Sequence, residues 1–371
     1  MSNPWLYVTD CKFSGIGIDL VTEQQLQAFS ERDISVSLVA RGRLNLHGVQ
    51  NFHQPYPPTK LLSWLPSQDY YALNKRYFSR LGRRHFDQGN FAGVVAWSKT
   101  ALHMFEAAEK RSVPRLLNVG NSHRDFDSGG TSAQTTRWPR IPHSRYRVEY
   151  ELASRILVAS DHAAASFITQ GVPKEKVRVI YRGADTERFH PLAEKPARPF
   201  IVASCGLLGE RKGSYELLQA WKRLALPDAE LWMIGHLPES EATALRALAV
   251  PTVKFLGFRK DLPVLLRQAH LHVLLSRNEG LAKVLLEAGA SGVPNLCTRE
   301  AGLPSDVSGT IFITDRTSED EVATAIEACY RDPAATTRLG MEARQMVETR
   351  FGWGAFRERF GQVVAEVTET P

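Results

Sequence analysis

The sequence predicts an α/β protein built from two doubly wound, Rossmann-like domains. Three observations carry this prediction: a length of 371 residues, short apolar segments that alternate with amphipathic stretches, and a charged, Pro-rich segment in mid-chain. A chain of this length exceeds one ordinary domain and suits two, each with its own core. The apolar content of 43% and the charged content of 23% are those of ordinary globular proteins.

Short β-rich segments recur along the chain with helical patterns between them, which is typical of parallel sheets with helical crossovers. In the first half they are WLYVT at 5–9, ISVSLVA at 34–40, GVVAW at 93–97, RLLNV at 115–119, RILVAS at 155–160 and VRVIY at 177–181. The second half repeats the rhythm with FIVASC at 200–205, ELWMIG at 230–235, TVKFLG at 252–257, LHVLLS at 271–276, VPNLC at 293–297 and TIFIT at 310–314. Two separate sheets explain this pattern better than one.

The domain boundary is predicted from the segment RGADTERFHPLAEKPARPF, which is rich in Pro and charge and poor in periodic apolar positions. Trp353, Phe356 and Phe360 follow at helical spacing near the end of the chain and indicate a closing helix. We therefore expect an N-terminal Rossmann-like domain at 1–185, a linker at 186–198, a C-terminal Rossmann-like domain at 199–350 and the closing helix at 351–371.

Charge is distributed unevenly between the two halves. Residues 1–150 hold 19 Lys and Arg against 12 Asp and Glu, whereas the remainder holds 27 against 28. A basic N-terminal half fits a solvated basic face, an anionic surface, a phosphorylated acceptor or nucleic acid. Since no nucleic-acid recognition motif accompanies the charge, we predict no nucleic-acid partner.

Cysteine placement and hydropathy bear on the location of the protein. The four cysteines, at 11, 205, 297 and 329, form no CxxC motif or Cys/His cluster, which favours structural thiols in a reducing compartment. No run approaches the roughly 18 apolar residues of a membrane span. These features predict a cytoplasmic location. Residues 60–86 mix basic and aromatic side chains, so this segment either touches the anionic inner face of a membrane or packs its aromatics in the core.

Two carboxylates eight residues apart mark a candidate ligand site in the second half. Glu279 lies in a loop after a strand, and Glu287 lies on the helix that follows, within EGLAKVLLEAGASGVP. Eight helical residues rotate by about 800°, so the carboxylates project from neighbouring faces about 12 Å apart along the axis. Carboxylates accept hydrogen bonds from sugar hydroxyls, and Gly280 beside a helix N-terminus offers N–H groups to an anion. Solvated helix acids would give the same pair, but an apolar helix would more readily accept a hydrophobe at Glu287.

The stretch EGLAKVLLEAGASGVP resembles the Glu-x7-Glu signature of the retaining GT-B glycosyltransferases of family 4, the glycosyl transferases group 1. The resemblance covers roughly residues 90–365. It implies the GT-B fold, in which two Rossmann-like domains face a cleft and a C-terminal helix crosses back to the N-terminal domain. The resemblance implies further that the domain at 1–185 binds the acceptor and that the domain at 199–350 binds the nucleotide-sugar donor. It also implies that Glu279 faces the donor sugar and that Glu287 binds the ribose hydroxyls.

The resemblance assigns roles to the residues beside these carboxylates. The backbone of Gly280, Leu281 and Ala282 is implied to bind the donor sugar together with Glu279, although Ala282 stands where Gly or Pro is usual. Asn295 is a second departure, because the next strand of the family is usually aliphatic there.

A glycine loop at ASCGLLGERKGSYELLQAW, residues 203–221, resembles the start of the family's nucleotide domain. The resemblance implies that Lys212 binds phosphate. Leu207 stands where the family commonly has an arginine, so we transfer that role to Arg211. Two cations at a helix start can neutralise a diphosphate as it leaves, although a Lys-Gly pair at such a position is commonplace.

Two further segments complete the predicted donor site. VKFLGFRKDLPVLL resembles the family segment whose backbone, about Phe258 and Arg259, contacts the base. KFSGIGIDL follows the first strand, and Gly15 and Gly17 would let the backbone approach the ligands. This glycine loop lacks the third glycine and the acidic residue of a dinucleotide fingerprint, so we reject a dehydrogenase.

His123 lies in GNSHRDFDSGG, at the carboxyl end of a predicted strand. The family commonly has a histidine here that points at the donor sugar, and the resemblance implies that role; a polar loop histidine without a role is the alternative. The same loop contains Asp125 and Asp127, a D-x-D such as metal-dependent glycosyltransferases of the other fold use. The C-terminal resemblance favours a metal-independent site, so we predict no metal and no cofactor.

These expectations combine into one predicted activity. The protein would move a hexose-type sugar from a nucleoside diphosphate sugar, with UDP or GDP expected, to a hydroxyl of a saccharide or lipid-linked acceptor. The resemblance implies retention of the anomeric configuration and a place in glycan or surface polysaccharide biosynthesis. The alternatives are a non-catalytic nucleotide-sugar-binding homologue, which Leu207 and Ala282 leave open, a nucleotide-sugar epimerase and a sugar phosphorylase.

Overall fold

The computed structural model describes residues 3–15, 17–53, 67–123, 143–196 and 198–369. Two sequence predictions therefore fall outside the described residues: the Asp125 and Asp127 pair, and the part of the basic aromatic segment at 60–66. The chain divides into two compact units. Unit 1 comprises residues up to 159, 163–180 and 356 onward, and unit 2 comprises 160–162 and 181–355.

The described part of unit 1 is organised around a parallel sheet with strands in the order 3-2-1-4-5-6-7. Its strands are β1 (Trp5–Val8), β2 (Val36–Ala40), β3 (Val49–His53), β4 (Gly93–Trp97), β5 (Arg115–Asn118), β6 (Arg155–Val158) and β7 (Val177–Val179). The helices of this half are α1 (Gly17–Ser30), α2 (Ser67–Asp87), α3 (Leu102–Lys110), α4 (His143–Leu152) and α5 (Asp161–Thr169). The inner strands read as apolar runs because helices cover both faces of such a sheet.

Each predicted strand of this half overlaps a strand of the sheet, and the structure adds β3. This strand pairs in parallel with β2 at the edge of the sheet, and its side chains are half-buried or exposed. The segment VQNFH lacks the apolar run that predicts a strand. An edge strand pairs with one neighbouring strand and is partly exposed to solvent, so it does not need such a run.

Unit 2 repeats the plan, with its described strands in the order 10-9-8-11-12-13. They are β8 (Phe200–Cys205), β9 (Ala229–Ile234), β10 (Val253–Gly257), β11 (Leu271–Leu274), β12 (Asn295–Thr298) and β13 (Thr310–Ile313). The helices are α6 (Ser214–Leu224), α7 (Glu239–Leu248), α8 (Leu262–Gln268), α9 (Lys283–Ala290), α10 (Glu319–Arg331) and α11 (Pro333–Arg350). All strand pairs of this sheet in the described chain are parallel. The prediction of two doubly wound sheets is confirmed.

The chain ends in α12 (Trp353–Glu369), which belongs to unit 1 from residue 356 onward, as the predicted return of the closing helix requires. The ring of Phe360 lies 5.3 Å from that of Phe29. Glu366 pairs with Arg178 at 2.5 Å and with Arg155 at 2.7 Å. Hydrogen bonds from Arg178 and Arg155 lower the pKa of Glu366 to about 2. Apolar packing and ion pairs together fix this helix on the N-terminal sheet.

The strand order of each sheet reverses at one point, which locates the crevice where ligands bind in open α/β sheets. In unit 1 the reversal lies between β1 and β4, and in unit 2 it lies between β8 and β11. The loops after these four strands are therefore the places to look for function.

Candidate functional site

The loop from β8 to α6 places two cations at the crevice of unit 2. A one-turn 3-10 helix, Glu210–Lys212, precedes α6 and carries Arg211 and Lys212. Gly213 has a φ of 70°, and a Cβ there would lie 2.4 Å from the backbone oxygen of Leu275. Only glycine fits this turn, because the conformation is left-handed and the β11 backbone lies against it.

Glu279 follows β11 and joins the two cations. Its Oε1 lies 2.7 Å from Lys212 Nζ, and Arg211 Nη1 donates a hydrogen bond to the same oxygen. The side chains of Glu279 and Lys212 are 13% and 12% exposed, whereas that of Arg211 is half-exposed. Burial lowers the pKa of Lys212, and the Glu279 carboxylate partly opposes this shift. The structure thus brings Glu279 into contact with two adjacent cations, the first of which, Arg211, lies 68 positions earlier in the sequence.

Arg182 is a neighbour of this group that sequence reasoning missed. Its Nη1 donates a hydrogen bond to the carbonyl of Leu281 at 3.2 Å. Burial lowers the pKa of the Arg182 guanidinium, and the Glu279 carboxylate opposes the shift, so the two charges are close. The signal available in the sequence was a basic residue directly after the strand-like segment VRVIY.

Backbone hydrogen bonds hold the segment Gly280–Ala282 between Glu279 and α9. The N–H of Glu279 donates to the carbonyl of Glu300 at 2.9 Å, and that of Ala282 donates to the carbonyl of Ala301 at 2.9 Å. Leu281 is fully buried and Ala282 is 5% exposed, so the side chains at these positions belong to the core. Any ligand contact from this segment would come from its backbone, as predicted for the sugar-binding loop.

Glu287 lies on α9 and is only 6% exposed. Its Oε1 lies 2.8 Å from Lys283 Nζ, one helical turn earlier. The ion pair with Lys283, rather than with Lys212 or Arg211, satisfies this buried carboxylate. A buried charge is costly unless it is paired, so its presence in an otherwise apolar helix needs a reason beyond packing.

The other predicted donor residues of unit 2 are exposed. Phe258, directly after β10, is 72% exposed. Arg259 pairs with Asp261 at 2.5 Å. Hydrogen bonding to Asp261 raises the pKa of Arg259. The Arg259 side chain is therefore engaged within its own loop, which leaves the backbone of this segment for the predicted contact with a base.

A buried polar pair explains the unusual Asn295. His272 on β11 lies opposite Asn295 on β12, and its Nδ1 is 2.9 Å from Asn295 Oδ1. Asn295 Nδ2 donates to the carbonyl of Leu285 on α9 at 3.0 Å. Burial lowers the pKa of His272 to about 4, so the ring is neutral near pH 7. This network ties two strands to the helix that carries Glu287.

In unit 1, the structure places His123 in an aromatic cluster. Its ring centroid lies 4.9 Å from that of Tyr150 and 5.0 Å from that of Phe167. The backbone N–H of His123 donates a hydrogen bond to Ser166 Oγ at 2.8 Å. The side chain is 5% exposed and lines a cavity of about 570 Å³ together with Lys176. The described contacts of His123 all lie within unit 1. Its role in contacting a donor sugar stays a prediction.

Gly15 and Gly17 lie after β1, at the crevice of unit 1. Their φ angles are 73° and 57°, and a Cβ at either position would have no neighbour within 4 Å among the described atoms. Asp19 accepts hydrogen bonds from Ser14 N–H at 2.9 Å and from Lys12 N–H at 3.2 Å. The carboxylate of Asp19 thus shapes this loop while the glycines leave space beside it.

The basic aromatic segment continues into α2, where part of it is core. Phe78 is fully buried, whereas Tyr71 is 43% exposed. Over the ranges that the structure covers, no helix combines the length and the apolar character needed to cross a bilayer. Within the same ranges, no group of three or more His, Cys, Asp or Glu side chains is arranged to hold a metal ion.

Comparisons with known proteins identify both halves of the chain. Residues 17–188 match the model of Glycosyltransferase Family 4, and residues 198–332 match that of the Glycosyl transferases group 1. The lipopolysaccharide core biosynthesis glycosyltransferase LpsE of Rhizobium meliloti is 27% identical over 231 residues, which cover 59% of this chain and 66% of that protein. The GDP-mannose-dependent alpha-(1-6)-phosphatidylinositol monomannoside mannosyltransferase of Mycolicibacterium smegmatis is 24% identical over 63% of this chain and 69% of its own length.

Solved structures agree on the fold. Sucrose-phosphate synthase from Thermosynechococcus elongatus superposes with a TM-score of 0.81 at 19% identity, covering 100% of both chains. Anabaena HepE in complex with UDP and glucose has a TM-score of 0.70 at 18% identity, covering 98% of this chain and 100% of that one. Because family models match both halves of the chain and the fold contains two doubly wound parallel sheets, this protein belongs to the GT-B glycosyltransferases of the Glycosyltransferase Family 4 and Glycosyl transferases group 1 type.

Proposed function

We propose that this protein transfers a hexose-type sugar from a nucleoside diphosphate sugar to an acceptor hydroxyl, with retention of the anomeric configuration. The observation that carries the proposal is the ion cluster at the crevice of unit 2. There the Glu279 carboxylate lies against Lys212 and Arg211, with Arg182 close enough to respond to its charge. The proposal assigns the donor to this cluster.

Charge balance supports a diphosphate as the anion. Among the described side chains of the cluster, three cations face one carboxylate, which leaves an excess of two positive charges. A diphosphate that gains charge as the sugar leaves is stabilised by such preorganised cations, and Arg and Lys are suited to phosphate oxygens. Arg211 and Lys212 would hold the diphosphate, and Arg182 would add to the positive field through the loop that it binds.

Sugar and ribose contacts follow from the acidic residues. Glu279 and the backbone of Gly280, Leu281 and Ala282 would bind the donor sugar, and buried Glu287 would accept hydrogen bonds from the ribose hydroxyls. The backbone about Phe258 and Arg259 would contact the base. His123 and the loop of Gly15 and Gly17 would supply unit 1's contribution.

The chemistry requires no protein nucleophile. The bond from the anomeric carbon to the diphosphate oxygen breaks as the acceptor oxygen bonds to the same face of that carbon. The departing phosphate accepts the proton of the acceptor hydroxyl. The proposed reaction needs no metal, because Lys212 and Arg211 neutralise the leaving group.

Related proteins support the choice of substrates. HepE was solved with UDP and glucose, the mycobacterial relative is named for GDP-mannose, and LpsE is named for lipopolysaccharide core biosynthesis. We therefore propose UDP or GDP as the nucleoside diphosphate of the donor, a saccharide or lipid-linked acceptor, and a role in glycan or surface polysaccharide biosynthesis.

A thermal-shift screen against UDP, GDP, ADP and their common sugars, with and without EDTA, tests the donor site. We expect one nucleoside diphosphate to raise the thermal midpoint of the wild type, EDTA to have no effect, and Glu287→Ala to lose the shift. The matched control is Glu327→Ala. Glu327 also pairs with a cation one helical turn away, Arg331, but its side chain is 39% exposed.

Stabilisation of the Glu287→Ala and Glu327→Ala variants to the same extent would contradict the assignment of Glu287. A shift that EDTA abolishes would point instead to a metal site at Asp125 and Asp127. Leu207, 48% exposed where the family commonly has an arginine, favours one second candidate, a non-catalytic homologue that binds a nucleotide sugar. Product analysis decides: transfer to an acceptor supports the proposal, a converted donor sugar indicates an epimerase, and binding without turnover indicates the non-catalytic homologue.

A further inference from the structure

We propose that Lys99 of unit 1 binds a phosphate group carried by the acceptor. The inference rests on the proposed function, which makes unit 1 the acceptor side, and it names the class of acceptor. Lys99 lies two residues after β4, and Asp10 lies two residues after β1, so both flank the crevice of the N-terminal sheet. We call the side chains around them the edge cluster: Asp10, Tyr71, Lys75, Lys99, Arg145 and Glu149.

The backbone of Lys99 is held in an unfavourable conformation. Its φ is 81°, in the left-handed region that lysine rarely adopts. Glu149, which is fully buried, accepts a hydrogen bond from Lys99 N–H at 2.7 Å, and Arg145 Nη2 donates to the Lys99 carbonyl at 3.2 Å. Residues kept in such conformations by buried neighbours cluster at ligand sites. The fold therefore uses a buried ion pair to fix this lysine in place.

The ammonium group of Lys99 lies at an aromatic ring that faces solvent. Its Nζ is 3.2 Å from Tyr71 Oη and 4.9 Å from the ring centroid. Lys75 Nζ lies 5.0 Å from the same centroid, but it is 2.5 Å from Asp10 and its charge is already paired. Within the described residues, no carboxylate lies within 4 Å of Lys99 Nζ. Lys99 is thus a positioned cation that still has donor capacity.

The surroundings of Arg145 show that positive charge is in excess here. Burial lowers the pKa of Arg145, Glu149 opposes the shift, and repulsion from Arg76 and Arg80 adds to it. Arg145 Nε is buried without a hydrogen-bond partner in the described chain. The edge cluster itself holds three cations against the two carboxylates of Asp10 and Glu149.

The excess of positive charge among the described side chains of the edge cluster selects the ligand. A neutral saccharide would leave this charge uncompensated, whereas a phosphate monoester brings a matching charge and oxygens that suit lysine. The switch-point position is where an open α/β sheet binds its ligand. The observations therefore favour an acceptor with a phosphate near the hydroxyl that receives the sugar.

Isothermal titration of the full chain, saturated with the nucleoside diphosphate that the screen selects, tests this site apart from the donor site. The soluble probes are glucose 6-phosphate and glucose, and the lipid probes are farnesyl phosphate and farnesol below their aggregation limits. We expect binding of one phosphate probe and weaker binding of its neutral counterpart. Lys99→Asn should weaken phosphate binding by at least about tenfold, because a charge-assisted contact is lost. The probe that responds shows whether the phosphate is carried by a sugar or a lipid.

Two control variants, together with the stability of Lys99→Asn itself, separate recognition from structure. Lys99→Arg keeps the charge and should retain most of the affinity, and Lys110→Asn removes an exposed lysine at the end of α3 and should change nothing. Asparagine tolerates the left-handed region, so Lys99→Asn should keep the wild-type thermal midpoint and the wild-type affinity for nucleotide.

Equal binding of phosphate probes by wild type and Lys99→Asn, or no phosphate-dependent binding by wild type, overturns the inference even if nucleotide binds. A lower thermal midpoint together with lost nucleotide binding in Lys99→Asn also overturns it, because Lys99 would then be structural. Failure of the proposed function gives a different result. In that case no nucleoside diphosphate binds the wild type, whether or not the phosphate probes bind in its absence.

Discussion

Glycine loops that follow strands of the two sheets differ in what lies beside them. In unit 1, Gly15 has a φ of 73°, and a Cβ there would meet no described atom within 4 Å. In unit 2, Gly235 has a φ of 134°, and a Cβ there would lie 1.8 Å from the carbonyl oxygen of Gly206. One loop is open beside its glycine, and the other is closed by the protein's own backbone.

This difference separates two uses of glycine. The unit 2 glycines allow the loops after β8 and β9 to pack against each other. A Cβ at Gly206 would lie 3.5 Å from Lys212 Cε, so this packing also positions the Lys212 side chain. The unit 1 glycines leave room where a ligand can approach the backbone. The unit 2 loops are therefore closed by their own packing, whereas the unit 1 loop is open beside its glycines.

The largest effect is expected for Gly235→Ala. The new methyl group would overlap Gly206 in a conformation that alanine avoids, so we expect a loss of about 4 kcal/mol or more in the stability of unit 2. Hydrogen–deuterium exchange of peptides from β8 and β9 measures this loss without assuming one transition for the whole chain.

Gly257→Ala is the matched control for this change. Gly257 also has a left-handed φ, 66°, and ends a strand of the same sheet, but a Cβ there would meet nothing within 4 Å in the described structure. We expect it to cost about 1 kcal/mol from backbone strain alone. Equal losses in the two variants would show that the close approach at Gly206 is not what requires glycine.

The next effect is kinetic and concerns Lys212. If Lys212 neutralises the departing diphosphate as proposed, Lys212→Met should lower kcat by about 10²- to 10³-fold and weaken nucleotide binding less. Lys222→Met, an exposed lysine on α6, is the control and should leave kcat unchanged. Steady-state kinetics with titration of the nucleoside diphosphate measures both quantities. Equal losses of turnover and affinity would show that Lys212 serves binding alone.

The sequence predicted the residues of the ion cluster in unit 2, but it did not predict those of the edge cluster in unit 1. Glu279, Arg211 and Lys212 lie in motifs whose order along the chain is informative, and the structure brings them into contact. Lys99 carries no motif, because what distinguishes it is a positive φ and contacts to α2 and α4 that only folding creates. Strand β3 was not predicted either, because an edge strand with half-buried or exposed side chains does not show the apolar pattern of the other strands.

Buried polar pairs are a second limit. Asn295 was visible as a departure from an aliphatic strand, but its partner His272 lies 23 positions away on a neighbouring strand. Either residue alone in a buried strand predicts unsatisfied polar atoms. The pair satisfies His272 Nδ1 and the Asn295 amide oxygen, whereas His272 Nε2 stays buried without a hydrogen-bond partner among the described residues. Which residues lie opposite each other depends on the pairing register of β11 and β12, and the sequence pattern did not predict that register.

The smallest effect is expected in unit 1, at Gly15, and it sharpens the comparison of the loops. If only backbone conformation requires glycine there, Gly15→Ala should cost about 1 kcal/mol, and Gly15→Asn should cost less, because asparagine tolerates the left-handed region. Hydrogen–deuterium exchange of peptides from β1 and α1 measures both. Large and equal losses in the two variants would mean that space, rather than conformation, is limiting at Gly15. The open loop would then be as closely packed as that of unit 2, and the argument that it is left open for a ligand would fail.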